Sequence, residues 1–305
     1  MVLPPPPDAA VPGPSGRGVR PGTLYVVATP LGNLEDITLR ALRVLKAVDL
    51  IAAEDTRHTR KLLAHYGIGT PLTSYYDHIE RRRAPQLVEA LRTGQSIALV
   101  SDAGTPGIAD PGYHLVCAAI AAGVAVEPVP GPSAVTAALS VSGLPTDRFA
   151  FEGFVPSRHG ARQKFFAALA GEERTLVVYE AARRLPACLA AVRDTLGDRP
   201  IVMVRELTKM FEEILRGRVT EVLPALAQRA GGAGVRGEVT LLIAGAEARA
   251  AEVSAEDLDT VIERLRSEGL SVREISRVLA RERGLSRRQV YQAALARAGS
   301  EKVGD

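Results

Sequence analysis

The chain has 305 residues, 46% of them hydrophobic, and carries a net charge of +3 with an isoelectric point near 9.0. That length can bury a large core and predicts two domains with a small appendage. No apolar run reaches the length of a membrane span and no signal-type apolar segment opens the chain, so membrane insertion and secretion are not expected and a cytoplasmic location is; the mildly basic balance permits a nucleic-acid partner without requiring one.

Residues 1–22 are dominated by Pro and Gly, including the run Pro4 to Pro7, and are expected to form a disordered tail. From Thr23 the pattern becomes strand, loop, helix, and it recurs. Strands are predicted at 24–28, 50–53, near 72–74, at 97–100 and, more weakly, at 125–129. Helices follow, with Ile37, Leu42, Leu45 and Val48, then Leu62, Leu63 and Tyr66, then Leu87, Val88 and Leu91 at helical spacing, and an Ala-rich helix running through Ala138. Alternation of this kind argues for a mostly parallel sheet covered on both faces.

The pattern restarts near Thr146 to Arg148, which sets the expected boundary between an N-terminal parallel α/β domain, 23–146, and a mixed-sheet α/β domain, 147–250. Strands are predicted there at 149–154, 176–179, 201–204, 212–215 and 239–244, with helices near 163–169 and 186–196, Pro186 suiting a first helical turn. The Gly-rich stretch 229–236 is expected to be a mobile loop. A helix-turn-helix-like unit of three short helices is predicted over 254–298, with Ser271/Glu274 and Ser286/Gln289 at capping-box spacing and helix stops at Gly269 and Gly284. From Ser271 to Arg297 it holds seven arginines against Glu274 and Glu282, which suits either an interaction surface or an ordinary solvated face. The fold class is thus α/β, two α/β domains plus a small C-terminal helical unit. Cys117 and Cys188 lack metal-ligand spacing and are expected to be reduced core residues, with no metal site.

Four loops follow strands of the first half and are rich in Gly, Pro or small hydroxyl residues: those around Gly32, Asp55, Gly104 and Gly131. Each alone reads equally well as a structural turn, but the carboxyl ends of parallel strands share one edge, so together the loops can converge on one cleft. The dinucleotide, P-loop, zinc-protease and serine-esterase signatures are missing, which removes support for those chemistries.

Five ordered segments, Leu24 to Leu34 (LYVVATPLGNL), Ala53-Glu54-Asp55-Thr56-Arg57, Ser101-Asp102-Ala103-Gly104-Thr105-Pro106, Pro130-Gly131-Pro132-Ser133-Ala134 and Arg205-Glu206-Leu207-Thr208-Lys209, resemble the tetrapyrrole methylase superfamily from about Thr23 to Gly245. Asn33 and the 54–57 stretch resemble its branch that 2′-O-methylates a cytidine in the decoding region of 16S ribosomal RNA. The resemblance implies S-adenosylmethionine bound in a cleft between the two domains, a homodimer, and small-subunit ribosomal RNA, within the 30S subunit, as the partner. It implies a cofactor site at Pro30, Gly32, Asn33, Asp102, Ala103, Gly104, Thr105, Pro106, Pro132, Ser133 and Ala134, closed over by Tyr179, Glu180 and Gly237. This chain departs from the family where Glu-Ser-Pro-His-Arg is common: it has Glu180-Ala181-Ala182-Arg183-Arg184, without the hydroxyl and the imidazole. A tetrapyrrole carbon methyltransferase and a non-catalytic RNA-binding protein of the same fold are the alternatives.

Methyl transfer from a sulfonium to a ribose hydroxyl is an in-line displacement, for which register is worth about 7–11 kcal/mol and a general base about 10²- to 10⁴-fold in rate. Glu54, Asp55 and Glu180, with Arg57 beside Asp55, are the candidate catalytic groups; Asp55 with Arg57 reads equally as a structural ion pair. His58 reads as a helix-surface residue and Asp110 as a turn or cap residue. Arg57, Arg60, Lys61, Arg81, Arg82, Arg83, Arg158, Arg162 and Lys164 are candidate phosphate contacts, although the run Arg81 to Arg83 suits the solvated start of a helix as well.

Overall fold

The computed structural model describes residues 18–229, 237–246, 255–283 and 286–300. The expected disordered tail up to residue 17, the Gly-rich stretch 230–236 and the helix stop at Gly284 lie outside the described residues. No described helix is long and apolar enough to cross a membrane.

The first half builds a sheet of five parallel strands, β1 Thr23–Val27, β2 Leu50–Ala53, β3 Leu72–Ser74, β4 Ile97–Val100 and β5 Ala125–Val129, in the spatial order β3-β2-β4-β1-β5. The three central strands are apolar on both faces because helices cover both. On one side α1 Leu39–Ala47 and α2 Thr56–His65 pack Ala41, Val44, Leu45, Leu62 and Leu63 against Tyr25, Val27, Ile51 and Val100. On the other, α3 Asp77–Arg92 and α4 Tyr113–Ala121 pack Leu87, Leu91, Leu115 and Ala119 against Leu24, Ala52, Ile97 and Leu99. Adjacent strand residues point to opposite faces, so each strand feeds both layers. Strand β5 lies at the outer edge, where Pro128 is tolerated without breaking a central ladder.

A last helix, α5 Ala134–Ser142, belongs in sequence to the first half but buries Val135, Ala138 and Leu139 against the second sheet. That sheet contains β6 Phe149–Phe154, β7 Thr175–Ala181, β8 Pro200–Arg205, β9 Glu213–Arg218 and β10 Glu238–Ile243 in the order β6-β7-β10-β8-β9. Only the β6–β7 pair is parallel; the others are antiparallel. Its far face carries the core of α6 His159–Ala168, α7 Leu185–Leu196 and α8 Val219–Arg229, with Phe166, Leu185, Leu189, Val192, Val219 and Val222 against Leu176, Val178, Met203 and Leu241. By contacts both α/β sheets, with α5 packed on the second, fall in one unit of the chain.

The second unit comprises Gly171–Glu173 and the chain from Gly245 onward. Its helices α9 Ala255–Ser267, α10 Val272–Arg283 and α11 Arg287–Ser300 enclose Ile262, Leu265, Ile275, Leu279, Val290 and Ala294. The capping box at the start of α10 is present: the Ser271 backbone N–H donates to Glu274 Oε2 at 2.9 Å, and the Glu274 N–H donates to Ser271 Oγ at 3.4 Å.

The cysteine expectation needs one correction. Cys188 is buried in α7, but Cys117 is exposed on α4, because the helix turns its Leu115 and Ala119 face to the sheet and leaves Cys117 outward. Both thiols are free.

Replacing Leu139, 6% exposed on the shared helix, by Ala leaves a cavity between α5 and the second sheet. Urea titration is expected to show a loss of about 2–5 kcal/mol, the range for a buried leucine.

Candidate active site at the rim of the parallel sheet

The loops after β1, β2, β4 and β5 leave the same edge of the parallel sheet and bond to one another. Thr29 and Gly104 exchange backbone hydrogen bonds, Thr29 N–H to Gly104 O at 2.9 Å and Gly104 N–H to Thr29 O at 3.0 Å. Thr29 Oγ1 donates to Ser101 O at 3.0 Å, so the loop after β1 is fixed to the loop after β4 twice. Thr105 Oγ1 donates to Pro132 O at 3.2 Å, adding the loop after β5. The loop after β2 joins through side chains: Asp102 Oδ1 accepts from the Asp55 N–H at 3.0 Å, and Glu54 Oε2 accepts from the Asp102 N–H at 3.2 Å.

Glycine is required at two of these positions. Gly104 has φ +83°, a left-handed conformation that L side chains disfavour. At Gly131 an added Cβ would lie 3.0 Å from Ala28 Cβ, so a side chain would push β5's loop away from β1's.

The rim is acidic. Burial raises the Glu54 carboxyl, and the neighbouring carboxylates of Asp102, Asp77 and Asp55 add to the effect against the Asp102 amide bond that lowers it. Asp110 is pushed up to about 7, first by burial and then by the Glu54 charge. Across from it, Tyr179 at the end of β7 is pushed up to about 12 by burial and by the Asp110 and Glu238 charges, and its ring packs edge-on against Phe151 and Phe154 with centroids 4.9 and 5.3 Å away. The positive φ of Ala109, Glu206 and Thr208, at 62°, 50° and 64°, places strained backbone in the loops of both sheets that border this region.

The second sheet reaches the rim through the turn after β8. Lys209 Nζ donates to Glu206 Oε1 at 3.1 Å and Glu238 Oε2 at 3.0 Å, and its methylenes lie where a side chain at Gly32 would stand. Glu206 Oε1 also accepts the Glu238 N–H at 3.0 Å, and Gly237 O accepts the Ala182 N–H at 3.0 Å.

The candidates from sequence divide accordingly. Pro30, Gly32, Asn33, Asp102 to Pro106, and Pro132 to Ala134 lie on the interlinked loops, and Tyr179 and Gly237 lie on the second sheet's side. Asn33 caps the short 3-10 turn 34–36 through its Oδ1. Asp55 caps α2 and pairs with Arg57, accepting the Arg57 N–H at 2.8 Å and Nη2 at 3.0 Å; the Arg57 bond is the first cause of its carboxyl falling to about 2. Its carboxylate is therefore committed, as the ion-pair reading anticipated.

Glu180 is not brought to the rim with Glu54. It alternates with Tyr179 along β7 and points to the α6–α7 face, fully buried, where its Oε1 accepts from Arg184 Nε at 2.6 Å and the Ala181 N–H at 2.7 Å. Its Oε2 has no hydrogen-bond partner. Arg162 is likewise corrected as a surface phosphate contact: at 6% exposure its guanidinium is inside the fold, donating to Ser157 O at 3.4 Å. Arg57, Arg60, Lys61, Arg81, Arg82, Arg158 and Lys164 are exposed, and Arg83 is half-buried. Asp110 is the group that sequence reasoning passed over. The signal available was the length of its loop, residues 101–112, longer than a turn needs and carrying two carboxylates.

Interlinked loops at the carboxyl ends of parallel strands, with a mixed sheet beside them, define an α/β protein of the class whose ligands bind at that edge. The model of the family described as tetrapyrrole (corrin/porphyrin) methylases matches residues 23–223, and the chain belongs to that family. It is 48% identical over 276 residues to the Synechocystis sp. protein named ribosomal RNA small subunit methyltransferase I, spanning 90% of this chain and 98% of that one. The Pseudomonas aeruginosa protein of the same name is 46% identical over 281 residues, spanning 91% and 98%. Among solved structures, the Thermus thermophilus uroporphyrin-III C-methyltransferase complexed with S-adenyl homocysteine shares the fold, with a TM-score of 0.50 and 22% identity over 73% of this chain and 97% of that one.

The Asp110 carboxyl moves from an ordinary value of 3.8 to about 7, so between those values the folded chain holds a proton that the unfolded chain has lost. Its stabilising contribution is complete below about 4 and is lost as pH rises through about 7. Asp110→Asn is expected to flatten the fall of Tm over that window, as read by thermal melts at successive pH values.

Proposed function

We infer that this chain is an S-adenosylmethionine-dependent methyltransferase of small-subunit ribosomal RNA. The observation that carries the reading is the bonding of four strand-ending loops into one acidic rim. The name of the two bacterial relatives, matched over nearly their whole length, supplies the substrate class. The finer target is the ribose 2′-hydroxyl of a cytidine in the decoding region, reached within the 30S subunit by a cytoplasmic homodimer.

The residues present fit the cofactor. Gly104 and Gly131 let the loops close on one another, and the carboxyls of Glu54, Asp102 and Asp110 suit a ligand carrying a sulfonium and an ammonium. When bound, the cofactor supplies an electrophilic methyl group. Pro30, Gly32, Asn33, Asp102 to Pro106 and Pro132 to Ala134 would hold it on the first sheet's side, with Tyr179 and Gly237 on the second sheet's side. The rim's own task is then to fix the hydroxyl in line and to accept its proton. Glu54 and Asp110 are the carboxylates suited to that: both are raised, and Asp110 titrates near neutral pH, where a base is most effective. Asp55 and Arg57 order the start of α2, and Glu180 with Arg184 stabilises the end of β7.

Incubation with methyl-labelled S-adenosylmethionine and small subunits lacking the modification is expected to put label into the ribosomal RNA. Label in a porphyrinoid, or none, would sink the reading. Gly32→Ala forces a side chain onto Lys209 at φ +152° and is expected to weaken cofactor binding about tenfold or more in calorimetry, equivalent to about 1.4 kcal/mol.

A further inference from the structure

A cavity of about 390 Å³ opens at the outer side of β3, the edge strand of the parallel sheet, lined by Thr56, Arg60, Leu72, Thr73, Ser74, Ile79, Arg82 and Arg83. We propose that this cavity is a phosphodiester subsite, which holds a backbone phosphate of the RNA strand next to the nucleotide being methylated. The inference rests on the reading of the substrate as RNA and adds to it where one phosphate sits.

The lining is what an anion needs. Three guanidinium groups and three hydroxyls face one space, and no lining residue is a carboxylate. Arg83 is held in place, donating Nη1 to Gln86 Oε1 at 2.8 Å and Nη2 to Thr73 Oγ1. Among the described residues neither Arg60 nor Arg82 has an ion-pair partner, so their charges remain available. A planar guanidinium pairs a phosphate through two parallel N–H groups, and hydroxyls add donors without adding repulsion.

The helix explains which arginines contribute. Ile79, Arg82 and Arg83 lie at i, i+3 and i+4 on α3 and share one face. Arg81 turns elsewhere, with its Nε 3.4 Å from His114 Nε2 on α4. The run of three arginines is thus divided by helical geometry into two that line the cavity and one that does not. Thr56 ties the cavity to the rim: it directly follows Glu54 and Asp55 in the chain, and α2 then presents Arg60 one turn further on. In the proposal, a strand whose sugar lies at the rim sets its neighbouring phosphate beside the start of α2, where Thr56 and Arg60 line the cavity.

The test is the double variant Arg60→Gln/Arg82→Gln in the full chain, with Arg193→Gln as the control. Binding of a labelled decoding-region RNA fragment is measured by filter retention across a salt series, and S-adenosylmethionine binding by calorimetry. The expected result is RNA affinity lowered about tenfold or more and the slope of log affinity against log salt reduced by about 1, with cofactor binding and Tm unchanged. The control should keep wild-type affinity and slope. Wild-type affinity and slope in the double variant would overturn the proposal, even if inorganic phosphate binds the wild-type protein in calorimetry, since that would mark a free-anion site only. Because RNA binding is read directly, failure of methyl transfer by the wild-type protein would count against the proposed function and leave this measurement decisive for the cavity.

Discussion

Thr29 and Gly104 face each other across the end of the parallel sheet, and each peptide group both donates to and accepts from the other. Both residues are buried, so their backbone polar groups must be paired inside the protein. The pairing continues the β1–β4 neighbourhood past the last ladder bond, but in antiparallel sense, which the left-handed backbone of Gly104 permits. Once these two loops are joined, the loop after β5 is reached by the Thr105 hydroxyl and the loop after β2 by the Asp102 carboxylate. A rim assembled from four separate segments thus gains the rigidity of a single piece, which is what in-line transfer between two bound reactants demands.

The electrostatics follow from this geometry. Gathering the loops crowds Glu54, Asp102 and Asp110 in a partly buried place, where ionising all of them is costly. The result is an acid of near-neutral pKa beside a carboxylate, in a setting that favours a cationic ligand. The opposite face of β7 carries a buried ion pair. Glu180 pairs with Arg184, and the nearby Cys188 thiol is pushed up to about 12 by burial and by the Glu180 charge, which leaves it unreactive. Adjacent residues of one strand therefore serve different ends: Tyr179 borders the cleft and Glu180 holds the core.

Much of this was legible in the chain. Periodicity located the first five strands nearly to the residue, because short apolar runs bounded by Gly and Pro leave little alternative. It missed α8, whose Pro224 interrupts the pattern. Asp110 looked like a turn residue because its own neighbours, Pro111 and Gly112, are turn-forming; what alters it is first its burial and then the charge of Glu54, far away in sequence. Arg162 looked like surface because charged residues usually are, and only the packing of α6 shows it inside.

The sequence by itself determined the α/β alternation, the parallel sense of the first sheet and the set of glycine- and proline-rich loops, since these depend on local periodicity and on backbone freedom. The tertiary structure decided which loops touch, which of Tyr179 and Glu180 faces the cleft, how α5 packs on the second sheet and which arginines of the run Arg81 to Arg83 share a cavity. Those outcomes depend on distances between segments far apart in the chain. Desolvation and charge act through space, and no local pattern encodes them.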